Sequence, residues 1–429
     1  MGSILLKNGI LCTADKCRTA DILIKDGRIA SIGSCILDNE AETLDIRGRI
    51  VTYGLADVHV HFRVPGRPDK ETIATGCAAA AHGGYTCVCP MPNLSPAPDA
   101  PETLEEELKL ICQEATIDVR PYATITKGRA GKELVNFRAL HDKVAGFSDD
   151  GSGVQDESMM REAMKAVKDC GSIIAAHCED NFLLHGGYIH DGAYAAAHGH
   201  KGICSESEWG PIKRDAVLSG ETGCPYHVCH ISTTESVEVI RQAKARGVDI
   251  SCETGPHYLT LCEDDLQEDG RFKMNPPLRS AKDREALLEG LRDGTIDMIA
   301  TDHAPHTAEE KSRGLAGSAM GIVGLETSFA VLYTALVRNG EISLRKLVDL
   351  MSGAPRRRFG LGGCLKEGES ADIAVFDIDT PYTIDPEDFL SKGKATPFAG
   401  RMVYGRCILT LYHGRKVWDG MDLKEKKMK

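Results

Sequence analysis

The chain has 429 residues, 42% of them apolar and 27% charged, enough for a sizeable core, and no apolar run reaches the roughly 18 residues of a membrane span. Its 51 basic and 63 acidic residues leave a formal charge of -12, which argues against nucleic acid or an anionic membrane as the main partner. The sixteen cysteines are scattered without a C-x-x-C pair and read as reduced core thiols, and the N-terminus lacks the basic and apolar regions of a signal peptide, so the expected location is the cytoplasm.

Residues 1 to about 50 read as short strands and tight turns. ILLKNGILC is expected to turn at Asn8-Gly9, and ADILIKDGRIASIG at Asp26-Gly27. From about 52 to 365 short β-branched or apolar runs alternate with helical stretches. The runs are IVTYGLADVHVHF, YTCVCPMPN, VRPYATIT, KVAGFSDDG, SIIAAHCED, YHVCHIST, VDISCETGPHYL and IDMIATDHAPH. Helices are expected between them, for example in TIATGCAAAAHG, ETLEEELKLICQEA, KELVNFRALHD and ESMMREAMKAVKDCG. Eight strand–helix units predict an α/β fold, a (β/α)8 TIM-type barrel. Longer loops follow the fifth and eighth strands, about 179 to 205 and 303 to 320. ADIAVFDID and GRCILTLYHGRKVWDG return to the texture of the first fifty residues. The two ends are therefore expected to pack as a small β-sandwich domain, 1–51 with 366–429, beside a barrel of 52–365.

Catalytic groups of such barrels come from the C-terminal ends of strands. His59 and His61 end the first run, and period-2 alternation puts both rings on one face. Asp149 and Asp150 end the fourth run, His177 the fifth, His230 the sixth and Asp302 the eighth. Four imidazoles and at least two carboxylates at matching ends suit zinc, and manganese or iron also. Six ligands are too many for one tetrahedral ion and suit two ions with a shared carboxylate. A bound metal lowers the pKa of water towards about 7, and a metal-adjacent carboxylate such as Asp302 can move the proton. Neighbours on a strand point oppositely, so the residues alone leave Asp149 and Asp150 as alternatives.

The run from Asp57 to His61, with single histidines on strands five and six and aspartate on strand eight, resembles the amidohydrolase superfamily. Further motifs are narrower: His59-Val-His61-Phe-Arg63-Val-Pro-Gly66, Met91-Pro92-Asn93, Phe147-Ser-Asp-Asp150-Gly151, Asn275-Pro-Pro-Leu-Arg279, Thr301-Asp302-His303-Ala-Pro-His306 and Gly324-Leu-Glu-Thr327. Together they resemble the class I dihydroorotases over essentially the whole chain. The resemblance implies the reversible cyclisation of N-carbamoyl-L-aspartate to L-dihydroorotate in pyrimidine biosynthesis. It implies two zinc ions per subunit: His59, His61 and Asp302 on one, His177 and His230 on the second, and Asp150 bridging them; because an aspartate is shorter than a carboxylated lysine, the second zinc is expected to be the weaker. It makes Asp302 the catalytic acid–base. Arg63, Asn93 and His306 grip the substrate carboxylate, and Asn275 touches the ring. Where the family often has Pro-Phe-Gly, this chain has Ala319-Met320-Gly321, which keeps backbone contacts at Met320 and Gly321 and leaves the phenyl role unfilled. A homodimer is the expected assembly, and a complex with aspartate transcarbamoylase is compatible with the family.

Two rival readings are another cyclic amidohydrolase, such as an allantoinase or dihydropyrimidinase, and a non-catalytic scaffold for aspartate transcarbamoylase. The first usually carries a carboxylated lysine at the end of strand four, where this chain has none; the second loses metal ligands, and this chain keeps all six. Elsewhere Asp57 is expected to support the site, and His303 and His82 to pack. Cys178, Glu179 and Cys229 are expected to be packing or loop residues. His185, His190, His198 and His200 read as a His-rich surface, and Arg356 to Arg358 as a solvated helix end.

Overall fold

The computed structural model describes residues 2–421. Strand β1 (Ile4–Cys12) pairs antiparallel with β2 (Cys17–Lys25), joined through residues 13–16. The turn expected at Asn8-Gly9 is instead a register shift inside β1, between Leu6 and Gly9, with Asn8 at a φ of 62°. Glycine is required there by close approach: a Cβ on Gly9 would lie 2.7 Å from Val51 Cγ2. Cys12 and Cys17 face each other across the hairpin and form a disulfide, so the expectation of reduced thiols fails for this pair. The turn at Asp26-Gly27 forms as expected, both residues at positive φ, and leads into β3 (Arg28–Gly33). β4 (Glu42–Asp45) and β5 (Ile50–Tyr53) run parallel to the first and second halves of β1.

The middle of the chain is a run of parallel strands. β6 (Leu55–Val60) pairs with β7 (Tyr85–Pro90), and β7 with β8 (Asp118–Val119). The fourth expected strand contributes a single residue, Phe147, which bridges Ala123 on one side and Ile174 on the other. β9 (Ile174–Ala176) is followed by an excursion containing the short pair β10 (Ile189–His190) and β11 (Gly202–Ile203). β12 (Tyr226–Val228), β13 (Ile250–Thr254) and β14 (Met298–Ile299) continue the parallel order. Just beyond β14, His303 bridges back to Val60.

Helices Ile73–His82, Pro101–Glu114, Glu157–Asp169, Glu206–Thr222, Thr234–Ala245 and Ala281–Asp293 separate these strands. Their starts are capped locally: Thr72 and Ser280 form capping boxes, and Asp156 accepts from Met159 N–H. In Glu157–Asp169 the buried positions Met160, Ala163, Met164 and Val167 follow the helical period. The helix expected over 132–142 shrinks to Phe137–Leu140 and a 3-10 turn, because Val135 N–H donates to Ile125 O and holds the preceding segment extended.

The chain end completes the first sheet. β15 (Ile373–Asp377) pairs antiparallel with β5; a small pair, β16 (Tyr382–Thr383) and β17 (Met402–Val403), follows. β18 (Arg406–Tyr412) then joins β15, and β19 (Arg415–Asp419) closes the order β19-β18-β15-β5-β1-β2-β3, with β4 on β1. Period-2 alternation divides its faces: Ile373 and Val375 join an apolar cluster with Ile4, Leu6, Ile22 and Ile24, whereas Ala374 and Phe376 join the core of the parallel strands. The terminal sheet thus packs on the body through one face, with Phe376 stacked 3.8 Å from Phe329 between ring centroids. Among the described residues no helix is long and apolar enough to cross a membrane.

Candidate metal centre

Six side chains converge at the C-terminal ends of the parallel strands, all buried. His59 Nε2 lies 3.4 Å from Asp150 Oδ1 and 3.6 Å from Asp302 Oδ1. His61 Nε2 lies 3.0 Å from Asp302 Oδ1 and 3.6 Å from Asp150 Oδ2. His177 Nδ1 and His230 Nε2 are 2.9 Å apart, and each is 3.8 Å from Asp150 Oδ1. His230 and Asp302 take positive φ, 33° and 48°, a strained conformation for residues with a Cβ and one that clusters at functional sites.

The cluster fits a metal. Zinc–nitrogen bonds of about 2.0–2.1 Å put neighbouring ligand atoms of a tetrahedral site roughly 3.3 Å apart, in the middle of the observed separations. His59 Nε2 and Asp150 Oδ1, which face each other inside the cluster, are buried without a hydrogen-bond partner, a costly arrangement unless a cation satisfies such atoms. Burial works against both carboxylates. The imidazoles, His59 foremost at Asp150 and His61 at Asp302, nevertheless hold both well below the usual range. Two carboxylates among four imidazoles form a donor set for a divalent ion, which would replace the ring protons. His59, His61 and Asp302 make one compact group, and His59, Asp150 and His230 another.

Asp149 and Asp150 diverge as strand neighbours do. The Asp149 carboxylate accepts from Ile125 N–H at 2.8 Å, Thr126 N–H at 3.1 Å and the Thr126 hydroxyl, away from the histidines. Asp57 accepts from the backbone N–H of His59 and of Thr301, tying the first strand to the eighth, and burial pushes it up to about 7. His303 packs inside, its carbonyl accepting from His61 N–H and its ring 3.4 Å from Glu71. His82 pairs with Glu326 beside Trp418.

The substrate candidates line the mouth. Arg63 Nε donates to Pro305 O at 3.3 Å, and its Nη2 lies 3.5 Å from His306 Nε2. His306 Nε2 donates to Met320 O at 2.8 Å. Gly321 sits at a φ of 134°, and a Cβ there would lie 2.7 Å from Ala304 O. Asn93 turns towards the metal candidates, its Oδ1 accepting from His61 Nδ1 at 2.9 Å. Asn275 Nδ2 donates to Glu179 Oε1 at 2.9 Å, leaving Oδ1 without a partner.

Four expectations change. Glu179 is no idle loop residue: its Oε2 lies 3.5 Å from His177 Nε2, and its place two residues after His177 was the available signal. Glu253, unnoticed in the sequence, lies 2.8 Å from His59 Nδ1; a lone charge in the buried run ISCET was the clue. His190 is buried beside Arg279, and His200 is fixed between Tyr188 and Glu268. Arg356 is buried, donating to Gly54 O, Thr86 Oγ1 and Gly362 O beneath Tyr53, rather than ending a helix in solvent.

Comparison with known proteins meets this geometry. Residues 48–236 match the family model described as Dihydro-orotase-like. The dihydroorotase of Bacillus cytotoxicus is 49% identical over 419 residues, covering 97% of this chain and 98% of the relative, and that of Bacillus cereus strain AH820 is 48% identical over the same shares. The chain belongs to the dihydroorotase family. Among solved structures, the L-hydantoinase (dihydropyrimidinase) of Arthrobacter aurescens matches with a TM-score of 0.87 at 30% identity, covering 98% of this chain and 97% of that one. A dihydropyrimidinase from Brevibacillus agri matches with a TM-score of 0.86 at 24% identity, covering 97% and 95%. This dihydroorotase-family chain thus shares the amidohydrolase fold of the hydantoinases along nearly its whole length.

Proposed function

We propose that the chain is a zinc-dependent dihydroorotase, interconverting N-carbamoyl-L-aspartate and L-dihydroorotate in pyrimidine biosynthesis. The observation that carries this reading is the convergence of all six candidate ligands in a chain 49% identical to a dihydroorotase. The cyclic order of parallel pairings supports a (β/α)8 barrel over 52–365. The shared terminal sheet supports a β-sandwich domain of 1–51 and 366–429, whose residues beyond 421 lie outside those described.

His59, His61 and Asp302 would hold one zinc, His177 and His230 a second, with Asp150 shared. Bound there, zinc polarises the ring carbonyl and makes hydroxide available near neutral pH. In hydrolysis the Asp302 carboxylate takes the proton of the attacking water and delivers it to the leaving ring nitrogen. Ring closure reverses this: a carboxylate, a ureido N–H and one proton become an imide and water. Arg63 and His306 suit the substrate carboxylate, since a planar guanidinium binds it bidentately; Asn93, Asn275 and the Met320–Gly321 backbone complete the pocket.

The structural match to dihydropyrimidinases raises that activity as a second reading. Asp150 at the end of strand four argues against a lysine carbamate, and Lys143 is half exposed and faces Glu105. Dihydropyrimidines also lack the carboxylate that Arg63 would grip. The test is a panel of dihydroorotate, dihydrouracil and allantoin with zinc-loaded protein in bicarbonate-free buffer. Dihydroorotate should be opened and carbamoyl aspartate closed. Preferred turnover of dihydrouracil, or a bicarbonate requirement, would overturn the reading.

A further inference from the structure

Behind the metal centre lie three buried side chains that the proposed reaction does not use. Glu253 is in β13 and His227 in the neighbouring β12, both 1% exposed. Glu253 Oε1 lies 2.8 Å from His59 Nδ1, and its Oε2 lies 3.1 Å from His227 Nε2. His227 Nδ1 lies 2.8 Å from the hydroxyl of Ser251, the residue paired with it in the strand register.

With both rings neutral, one placement of protons satisfies all three contacts. A carboxylate only accepts, so His59 carries its hydrogen on Nδ1 and His227 on Nε2. His227 Nδ1 then accepts from the Ser251 hydroxyl. The lone pair of His59 is left on Nε2, which faces Asp150 and Asp302 without a partner. The opposite tautomer would press a lone pair against the carboxylate and point an N–H at the metal. A buried carboxylate is costly to desolvate, and a well-packed apolar residue would fill the same space at no such cost.

We propose that Glu253, itself held by His227, is a positioning residue that fixes the tautomer and ring orientation of His59 for metal binding. The chain Ser251–His227–Glu253–His59 acts through the ring and touches no substrate. Outer partners of this kind are worth about 10–100-fold in metal affinity. This inference rests on the metal-centre reading given above.

The test measures zinc affinity by chelator competition and zinc stoichiometry by native mass spectrometry, with metal-free thermal melts alongside. Glu253→Leu should bind zinc at the His59 site about 10–100-fold more weakly, and its metal-free melting temperature should also fall, because the buried N–H groups of His59 and His227 lose their acceptor. Glu253→Gln should fall between, because one amide oxygen can serve only one of the two rings. His227→Gln should weaken binding less than Glu253→Leu, since the carboxylate remains but is less firmly held. If Glu253→Leu fails to fold, Glu253→Gln decides. Wild-type affinity in both Glu253 variants, or a loss of melting temperature with zinc affinity untouched, would overturn the proposal. A wild-type protein that takes up no zinc would instead overturn the metal centre itself.

Discussion

The two halves of the candidate metal centre are built to different standards. On the His59 and His61 side, the far nitrogen of each ring is held by a side chain, Glu253 at 2.8 Å and Asn93 at 2.9 Å. The backbone is fixed there too: His61 N–H donates to His303 O, and Asp57 joins His59 to Thr301. On the other side, the far nitrogen of His177 has only Glu179, at 3.5 Å and shared with Asn275. His230 Nδ1 has no hydrogen-bond partner. Ligands held in place before binding lose less freedom on binding, so preorganisation adds to the extra carboxylate of Asp302 in separating the halves.

The largest effect should come from the well-held half. Asp302→Ala would remove the proposed metal ligand and the proposed proton carrier together. General acid–base catalysis alone is worth roughly 10²–10⁴-fold, so turnover should fall by at least that in both directions while circular dichroism is unchanged. A variant with half the wild-type rate would break the assignment of Asp302.

The bridge comes next. Asp150→Ala should leave about one zinc per chain, because the remaining half has only two imidazoles. Asp149→Ala should keep both ions and lose stability instead, about 1–3 kcal/mol, because the N–H groups of Ile125 and Thr126 lose their acceptor. Metal analysis with thermal melts decides, and the reverse pattern would mean that the two aspartates have exchanged roles.

The comparison itself is tested by metal removal. Graded chelation should strip the His177–His230 ion first, with affinities about 10–100-fold apart. Cadmium substitution followed by 113Cd NMR would show one resonance disappearing before the other. Simultaneous loss of both would show that the outer contacts of Glu253 and Asn93 carry no weight.

Much of this centre was legible in the sequence because strand geometry is simple. Two-residue spacing placed His59 and His61 on one face, and the strand ends located His177, His230 and Asp302. What escaped depended on contacts between distant segments. The fourth strand reduces to the bridges of Phe147, whose N–H donates to Ile173 O and whose carbonyl accepts from Ala175 N–H. Asn8-Gly9 has turn chemistry, but Val51 and Ile46 press on Gly9 and the strand continues through a bulge. Arg356 looks like a helix end until the carbonyl of Gly54, 302 residues away, takes its guanidinium. Glu253 was visible only as a charge where none should be, and its meaning required His59 and His227.

The smallest effect concerns the loop over residues 304–321, which leans on the well-held half through His303. Lys311 Nζ ties it down with bonds to the carbonyls of Lys273, Ala319 and Gly321. His306 sits among them, donating to Met320 O and accepting from Lys70 Nζ at 3.1 Å. Burial, with Arg63 and Lys70, pushes His306 down from 6.5 to about 4. An opened loop exposes an ordinary histidine, which takes a proton below about 6.5 that the closed loop refuses until about 4. Closure is therefore at full strength above pH 6.5 and is lost as pH falls towards 4. Glu310 acts in the same direction at lower pH: Lys70 and the Thr307 N–H overcome burial and hold it at about 2, so its contribution fades below 4.5. At pH 5.5 the histidine alone should favour opening by about tenfold relative to pH 7.5. Hydrogen-exchange protection factors, which divide out the intrinsic pH dependence of exchange, should drop by about that factor in this loop and stay constant in helix Glu157–Asp169. His306→Gln should flatten the response between pH 5.5 and 7.5. Loop protection equal at both pH values in the wild type would show that His306 is as free to protonate in the closed loop as in the open one.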